Sequence, residues 1–257
     1  MFKHKYVIPV LLSLGILGAI LAIFGVISWW WCFLLVFIWI ALTTWGSFDI
    51  RKSYFVQVFY KRKYHDGISL ALTFDDGPTP ITNDFLDLLK TYNAKATFFC
   101  IGKQIDKYPD IFKRILAEGH TIGNHTMNHT KTFGFLNENQ VIQELSSCDA
   151  EIHDLAPLIP RLFRPPFGVT NPSVAKAVKH TKHQVIGWSI RSLDTILKDE
   201  QKIYDRVAPR LGAGEIVLFH DTSERTLRVL KRILDLMESK GLISVTVDDL
   251  LNLNAYE

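Results

Sequence analysis

Asp75 and Asp76 stand side by side in Thr73-Phe74-Asp75-Asp76-Gly77-Pro78, and His125 and His129 lie four apart in His125-Thr126-Met127-Asn128-His129. Arg164 opens Arg164-Pro165-Pro166-Phe167-Gly168, Asp194 closes Arg191-Ser192-Leu193-Asp194, and His220 follows Leu218-Phe219. One carboxylate with two imidazoles is a three-ligand set that leaves a divalent metal an open position for water. Zinc lowers the pKa of its bound water to about 7, which makes a nucleophile at neutral pH. The second of the adjacent carboxylates can take that water's proton as general base, and a fixed guanidinium beside it would orient it. His220 on the opposite side could give a proton to a departing amine, and Asp194 could bond its other ring nitrogen. The set describes a metal-dependent hydrolase of an acyl bond.

Each fragment also has an ordinary reading. Asp-Asp-Gly-Pro is a turn sequence. A His-x-x-x-His pair can be two solvated loop residues, Arg164 an ion-pair partner in a rigid loop, and His220, Asp221 or Thr222 a helix cap. Their joint occurrence at successive strand ends outweighs those readings. His4, His65, His120, His153, His180 and His183 have no partner pattern and read as surface or structural residues.

Parallel α/β proteins carry their chemistry at the carboxyl ends of strands, so the elements around these residues matter. From about residue 66 short apolar runs alternate with amphipathic ones. Strands are expected at 69–74, 95–100, 120–124, 161–164, 183–190, 215–219 and 242–247, and helices at 81–91, 106–118, 137–155, 172–180, 199–211 and 223–240. The last helix carries a core stripe of Leu227, Leu230, Ile233, Leu234 and Met237. Asn137 with Gln140 resembles a capping box, and Gly241 reads as a left-handed helix stop. About seven strands alternating with helices imply an α/β fold on a parallel sheet, open or closed.

A length of 257 residues fits one α/β barrel domain, or a smaller domain with an appendage. With 48% hydrophobic and 21% charged residues the chain is not disordered or low-complexity. The net charge of +3 forms no basic stripe, which argues against a nucleic-acid partner. Cys32, Cys100 and Cys148 have no short spacing for a zinc knuckle or redox pair.

The average charge hides a division. From Tyr6 to Phe48 there is no acidic or basic residue and no histidine. A span needs roughly 20 apolar residues, so this run is long enough for two. It predicts a transmembrane hairpin over 1–48, with helices near 7–28 and 29–46 and the lipid bilayer as partner through residues 7–46. Trp29, Trp30 and Trp31 would lie at one interface and Trp45 at the other. The run is too long for a cleaved signal peptide or a single core helix. Lys3 and Lys5 precede it, Arg51, Lys52, Lys61, Arg62 and Lys63 follow it, and its turn is uncharged. By the positive-inside rule both ends, and the catalytic domain, then face the cytoplasm. The expected organisation is hairpin 1–48, linker 49–67, catalytic domain 68–250 and tail 251–257.

The ordered motifs TFDDGP, HTMNH, RPPFG and LFH resemble the polysaccharide deacetylase family (the NodB-homology domain, carbohydrate esterase family 4) over residues 68–250. The resemblance implies a distorted (β/α) barrel with fewer than eight strands. It implies Asp75 as base, Asp76, His125 and His129 as ligands of one divalent metal, zinc foremost, and Arg164 as the holder of Asp75. It implies His220 as general acid, Asp194 as its tuning partner, the Phe167 backbone N–H at the oxyanion, and Leu218 in the acetyl pocket. Family members remove N-acetyl groups from sugars in peptidoglycan, chitin or chitooligosaccharides, and some relatives act on lipid-linked aminosugars. Anchored members mostly act outside the membrane, against the direction of the flanking charges.

The chain departs from the family at the D-x-x-D-W motif, where Arg191 replaces the first acid and Thr195 the Trp. Phe167 stands at a frequent Tyr. The missing aromatic wall points to a small or lipid-linked N-acylated glycan held near the bilayer. Three rivals share some of these residues. An iron(II) oxygenase has no use for Asp75 or His220, and a silent glycan-binding protein needs neither. A deformylase or other aminosugar amidase differs only in its acyl pocket.

Overall fold

The computed structural model describes residues 3–63 and 67–257, so His65 and part of the 49–67 segment lie outside the described residues. Its centre is β2 (Ser69–Asp75), buried at every position. Such two-sided burial is what a parallel strand covered by helices requires. β3 (Ala96–Cys100), β4 (Thr121–Asn124), β5 (Leu162–Phe163), β6 (Gln184–Ile186) and β1 (Val58–Phe59) follow on one side. β8 (Ile216–His220) and β7 (Ile190–Arg191) follow on the other, and β9 (Ile243–Ser244) also pairs with β2. All these pairings are parallel.

Connectivity makes this sheet a distorted barrel. β6 lies near one end of the strand order and β7 at the other, yet only Gly187, Trp188 and Ser189 separate them. Four Cα steps reach at most about 14 Å, so the two ends must curl together. The expected strand 183–190 is therefore two. Gly187 N–H donates to Phe59 O on the β1 side (2.8 Å), and Ser189 N–H to Ile216 O on the β8 side (3.0 Å).

The helices cover the sheet. They are α3 (Thr82–Thr91), α4 (Gly102–Lys107), α5 (Pro109–Ala117), α6 (Glu138–Leu155), α7 (Pro172–Thr181), α8 (Glu200–Val207), α9 (Glu224–Ser239) and α10 (Val247–Leu251). The main core sets Phe74 against Phe98 (centroids 5.0 Å, stacked) and Phe85 (5.4 Å, edge-on), with Leu230 and Ile233 of α9 buried in the same cluster. Each such side chain contributes about 1.5–3 kcal/mol by leaving water.

Local chemistry explains the boundaries. The expected helix 106–118 breaks at Tyr108, because a proline restricts its predecessor and cannot donate; Pro109 then begins α5. The Asn137–Gln140 capping box forms at α6, and Gly241 takes φ 66° after α9. Ser223, rather than Asp221 or Thr222, caps α9 by accepting from Thr226 N–H. The expected strand 242–247 stops at Ser244, since Thr246 caps α10. Helix 199–211 ends its α-helical part at Val207.

The segments expected as a linker and a C-terminal tail are both packed. Ile50, Tyr54 and Val58 are buried and β1 pairs with β6, so this part of 49–67 belongs to the barrel. In 251–257, Ala255 is buried and the Tyr256 hydroxyl accepts from Ile122 N–H (2.8 Å).

The apolar run forms α1 (His4–Ile23) and α2 (Trp30–Phe48), offset by a few residues from the expected limits. Both are long and apolar enough to cross a membrane, and few of their residues are buried. Their outer ends meet the domain. His4 N–H donates to Tyr54 O (2.9 Å), Thr170 N–H donates to Ser47 O (3.1 Å), and the Tyr54 ring lies against Gly46.

Candidate active site

The parallel register places Asp75 opposite His220 and Phe99, at the carboxyl end of the sheet. Asp75 ends β2, His125 follows β4, Arg164 follows β5 and His220 ends β8. Asp75, Asp76, His125, His129, Phe167, Leu218 and His220 line one cavity of about 220 Å³. Arg164 lies behind it and Asp194 beneath His220, both buried. Every expected site residue is thus brought to one place.

Arg164 is fully buried. Its Nη1 donates to Asp75 Oδ1 (2.7 Å) and Thr73 Oγ1 (2.8 Å), its Nη2 to Gly187 O (2.9 Å) and its Nε to Ile186 O (3.3 Å). The guanidinium also lies 4.1 Å from the Phe99 ring centroid. Burial works against the Arg164 cation, and the Asp75 carboxylate counters it. Removing one partner from a buried pair of this kind costs about 3–5 kcal/mol.

Asp76 takes φ 74°. Its Oδ1 lies 3.5 Å from His125 Nε2 and 3.4 Å from His129 Nε2. Burial would raise the Asp76 pKa, but the surrounding His125, His220 and His129 imidazoles hold it well below the usual carboxylate range. Oδ1 is buried with no hydrogen-bond partner, and the three potential ligand atoms lie within 4.8 Å of one another. An orphaned carboxylate oxygen between two ring nitrogens fits a divalent cation. Burial and the neighbouring His125 lower the His129 pKa, favouring the neutral imidazole that ligates.

His220 Nδ1 is 2.8 Å from Asp194 Oδ1, and its backbone N–H donates to Asp194 Oδ2 (2.8 Å). Ser192 and Thr226 hydroxyls donate to the same carboxylate (2.8 and 3.1 Å). Burial alone would lower the His220 pKa, but the Asp194 hydrogen bond and charge push it up to about 9. Its Nε2 faces the cavity, 3.9 Å from Asp76 Oδ2.

Phe167 has φ 58° and a backbone N–H without a partner among the described residues. The following Gly168 (φ 70°) presses so closely on Trp188 that a Cβ would lie 2.4 Å from the indole. Trp188, Arg191 and Thr195 also line the cavity. Trp188 was not singled out from sequence; an aromatic just past a strand end was the available signal. Asn124 was also missed. Its side chain donates to Leu145 O (2.9 Å) and Asp149 Oδ1 (2.8 Å) and accepts from Thr126 N–H (2.7 Å), holding the loop between the two histidines. Asp221 is buried against Gly77, where a Cβ would lie 2.3 Å from its Oδ2, and burial pushes its pKa up to about 7.

A curled parallel barrel with two acids, two histidines and a buried guanidinium gathered at its carboxyl end has the residue types of a hydrolase site with a candidate metal position. Residues 62–186 match the family model described as "Polysaccharide deacetylase". A peptidoglycan-N-acetylglucosamine deacetylase of Bacillus cereus is 37% identical over 191 residues, 71% of this chain and 87% of that protein. The Listeria monocytogenes peptidoglycan-N-acetylglucosamine deacetylase PgdA is 33% identical over 182 residues, 70% of this chain but only 38% of PgdA. The structure of the peptidoglycan deacetylase PdaC from Bacillus subtilis superposes with a TM-score of 0.68 and 32% identity, over 72% of this chain and 90% of that one. The chain belongs to the polysaccharide deacetylase family, as a hydrolase acting on non-peptide carbon–nitrogen amide bonds.

Proposed function

We propose that this protein removes the N-acetyl group of an amino sugar in a glycan presented at a membrane. The observation that carries the reading is the buried, unpaired Asp76 Oδ1 between two imidazoles, beside an Asp75 already held by Arg164.

Asp76, His125 and His129 would hold one divalent ion, with zinc suited to two nitrogens and one oxygen. When bound, that ion polarises the acetyl carbonyl and makes a water acidic. Asp75 takes the proton of the attacking water, and Arg164 keeps its Oδ1 fixed so that Oδ2 faces the cavity. The free Phe167 N–H would donate to the oxyanion. His220 gives the Nε2 proton to the departing sugar nitrogen as the C–N bond breaks, and Asp194 steadies the imidazolium. Acetate and a free amine result. Leu218, in the cavity wall, would receive the acetyl methyl.

The same reading takes α1 and α2 as a two-pass anchor before the catalytic domain. Support comes from their apolar, largely exposed surfaces and from both outer ends abutting the domain. Lys52 lies over the Trp45 ring (4.5 Å), a pairing suited to an interface. The basic flanks favour a cytoplasmic domain and therefore a lipid-linked substrate. Incubating the detergent-purified full chain with lipid-linked and polymeric N-acetylated glycans should release acetate. Release of formate alone from an N-formyl substrate would make it a deformylase instead. For sidedness, a cysteine at exposed Asn139, with Cys32, Cys100 and Cys148 replaced, should react with an impermeant thiol reagent only after lysis. Labelling of intact cells would put the domain outside and restore cell-wall polymers as substrate.

A further inference from the structure

A second cavity, of about 390 Å³, lies where the end of α2 meets the barrel. Trp45, Phe48 and Arg51 line it from the membrane side, and Arg191, Arg206 and Arg210 from the barrel. Asp49, the one acid lining it among the described residues, is already paired with Arg51 through two hydrogen bonds (2.8 and 3.0 Å). The other three guanidiniums have no ion pair with a carboxylate among the described residues. Arg206 donates its Nε to Arg191 O (2.8 Å), while the Arg191 guanidinium lies 5.5 Å from the Trp188 ring centroid and neither it nor Arg210 has a side-chain hydrogen bond or ion pair among the described residues. Burial and the Arg206 charge work against the half-buried Arg191 cation, while the Asp194 and Asp75 charges, outside ion-pair distance, favour it. Guanidiniums that line one cleft without an ion-pair partner among the described residues suit an anion, and the arginine fork matches phosphate oxygens.

Position selects which anion. Trp45 and Phe48 are exposed at the end of α2, and indole rings favour the headgroup level. Trp188 and Arg191 line both this cavity and the catalytic one, so the two share a wall. Arg191 occupies the place where the family motif carries an acid, so the positive charge is a property of this chain. We infer that this cleft binds the phosphate or diphosphate through which a lipid-linked amino sugar is attached to its lipid, with the sugar reaching the catalytic cavity. This rests on the deacetylase reading above and names its substrate class.

The test compares two substrates for the detergent-purified full chain: N-acetylglucosamine joined by a diphosphate to a polyprenol, and a neutral N-acetylated chitooligosaccharide. Arg210 is exposed and has no side-chain partner among the described residues, so Arg210→Glu should fold, as a thermal melt would verify; Arg206→Gln is the second variant. Each should raise KM for the diphosphate-linked substrate at least tenfold while leaving KM for the neutral oligosaccharide within twofold. Equal changes for both substrates, or none, would overturn the inference. In nanodiscs, a loss on both substrates that occurs only when phosphatidylglycerol is present would assign the cleft to bulk lipid headgroups and also overturn it. Independently of turnover, calorimetric titration with inorganic pyrophosphate should show binding to the unmodified chain and none to Arg210→Glu. Absence of binding to the unmodified chain would count against the cleft. If neither substrate releases acetate, the deacetylase reading fails, and the pyrophosphate titration still decides the anion site.

Discussion

His125 places its Nδ1 2.7 Å from the main-chain oxygen of Arg164, whose side chain in turn donates to Asp75. The Nδ1–H therefore donates outward, and Nε2 is left as the lone-pair nitrogen facing Asp76. One residue thus sets the geometry of two functions, orienting a candidate ligand through its backbone and a candidate base through its guanidinium. Its own backbone N–H donates to Asn124 O (3.0 Å), so strands β4 and β5 lock this arrangement.

Asp75→Asn should separate base from ligand. It removes the proton acceptor while leaving Asp76 and both imidazoles in place. Turnover should fall by roughly 10²–10⁴-fold with metal content retained, as measured by elemental analysis beside an acetate assay. Normal turnover would remove Asp75 from the base role. Lost metal would mean that the two acids exchange roles.

His125→Ala should lose bound metal and activity together. Two remaining ligands cannot hold a tight open site, and the Arg164 carbonyl would lose its donor. Full metal occupancy in this variant would refute Asp76, His125 and His129 as the ligand set.

The pH profile should report His220. Asp194 raises its pKa to about 9, so the imidazolium is present below that pH and is lost as pH rises through it. Activity that depends on His220 as acid should therefore fall on the alkaline side. Asp194→Asn removes the charge and should move that limb toward lower pH, besides reducing kcat. An unmoved limb would show that another group titrates there.

Acid stability should depend on His120, far from the chemistry. Its Nδ1 accepts from Ala96 N–H (3.1 Å) in a buried pocket, so the ring must stay neutral. Burial, assisted by the Lys95 charge, lowers its pKa from 6.5 to about 4. Between those values the unfolded chain binds more protons, so stability falls as pH drops from 6.5 toward 4. The loss is about 3 kcal/mol, at 1.36 kcal/mol per pKa unit. His120→Asn keeps an acceptor without the titration, and urea denaturation from pH 7 to pH 4 should show a smaller decline.

The alternation of short apolar runs with amphipathic ones was enough to imply a parallel α/β fold, because each strand must be buried on both faces and each helix on one. The acids, histidines and arginine were legible for a related reason: at the carboxyl ends of parallel strands, residues distant in sequence come to one face. Local chemistry also marked the Asn137 cap and the Gly241 stop, which depend on residues within one turn. What the sequence left open is set by relations between distant segments. The split of 183–190 into β6 and β7 follows from the curl of the sheet, which makes three residues bridge its two ends. β1 and the 251–257 segment carry too little periodicity to read, yet their pairing with β6 and packing near β4 hold them in the fold. Trp188 became a cavity wall only because Gly168 lets the RPPFG loop press against it. The group of Arg51, Arg191, Arg206 and Arg210 is spread over 160 residues of chain, and only the docking of α2 against the barrel edge gathers it into one cleft.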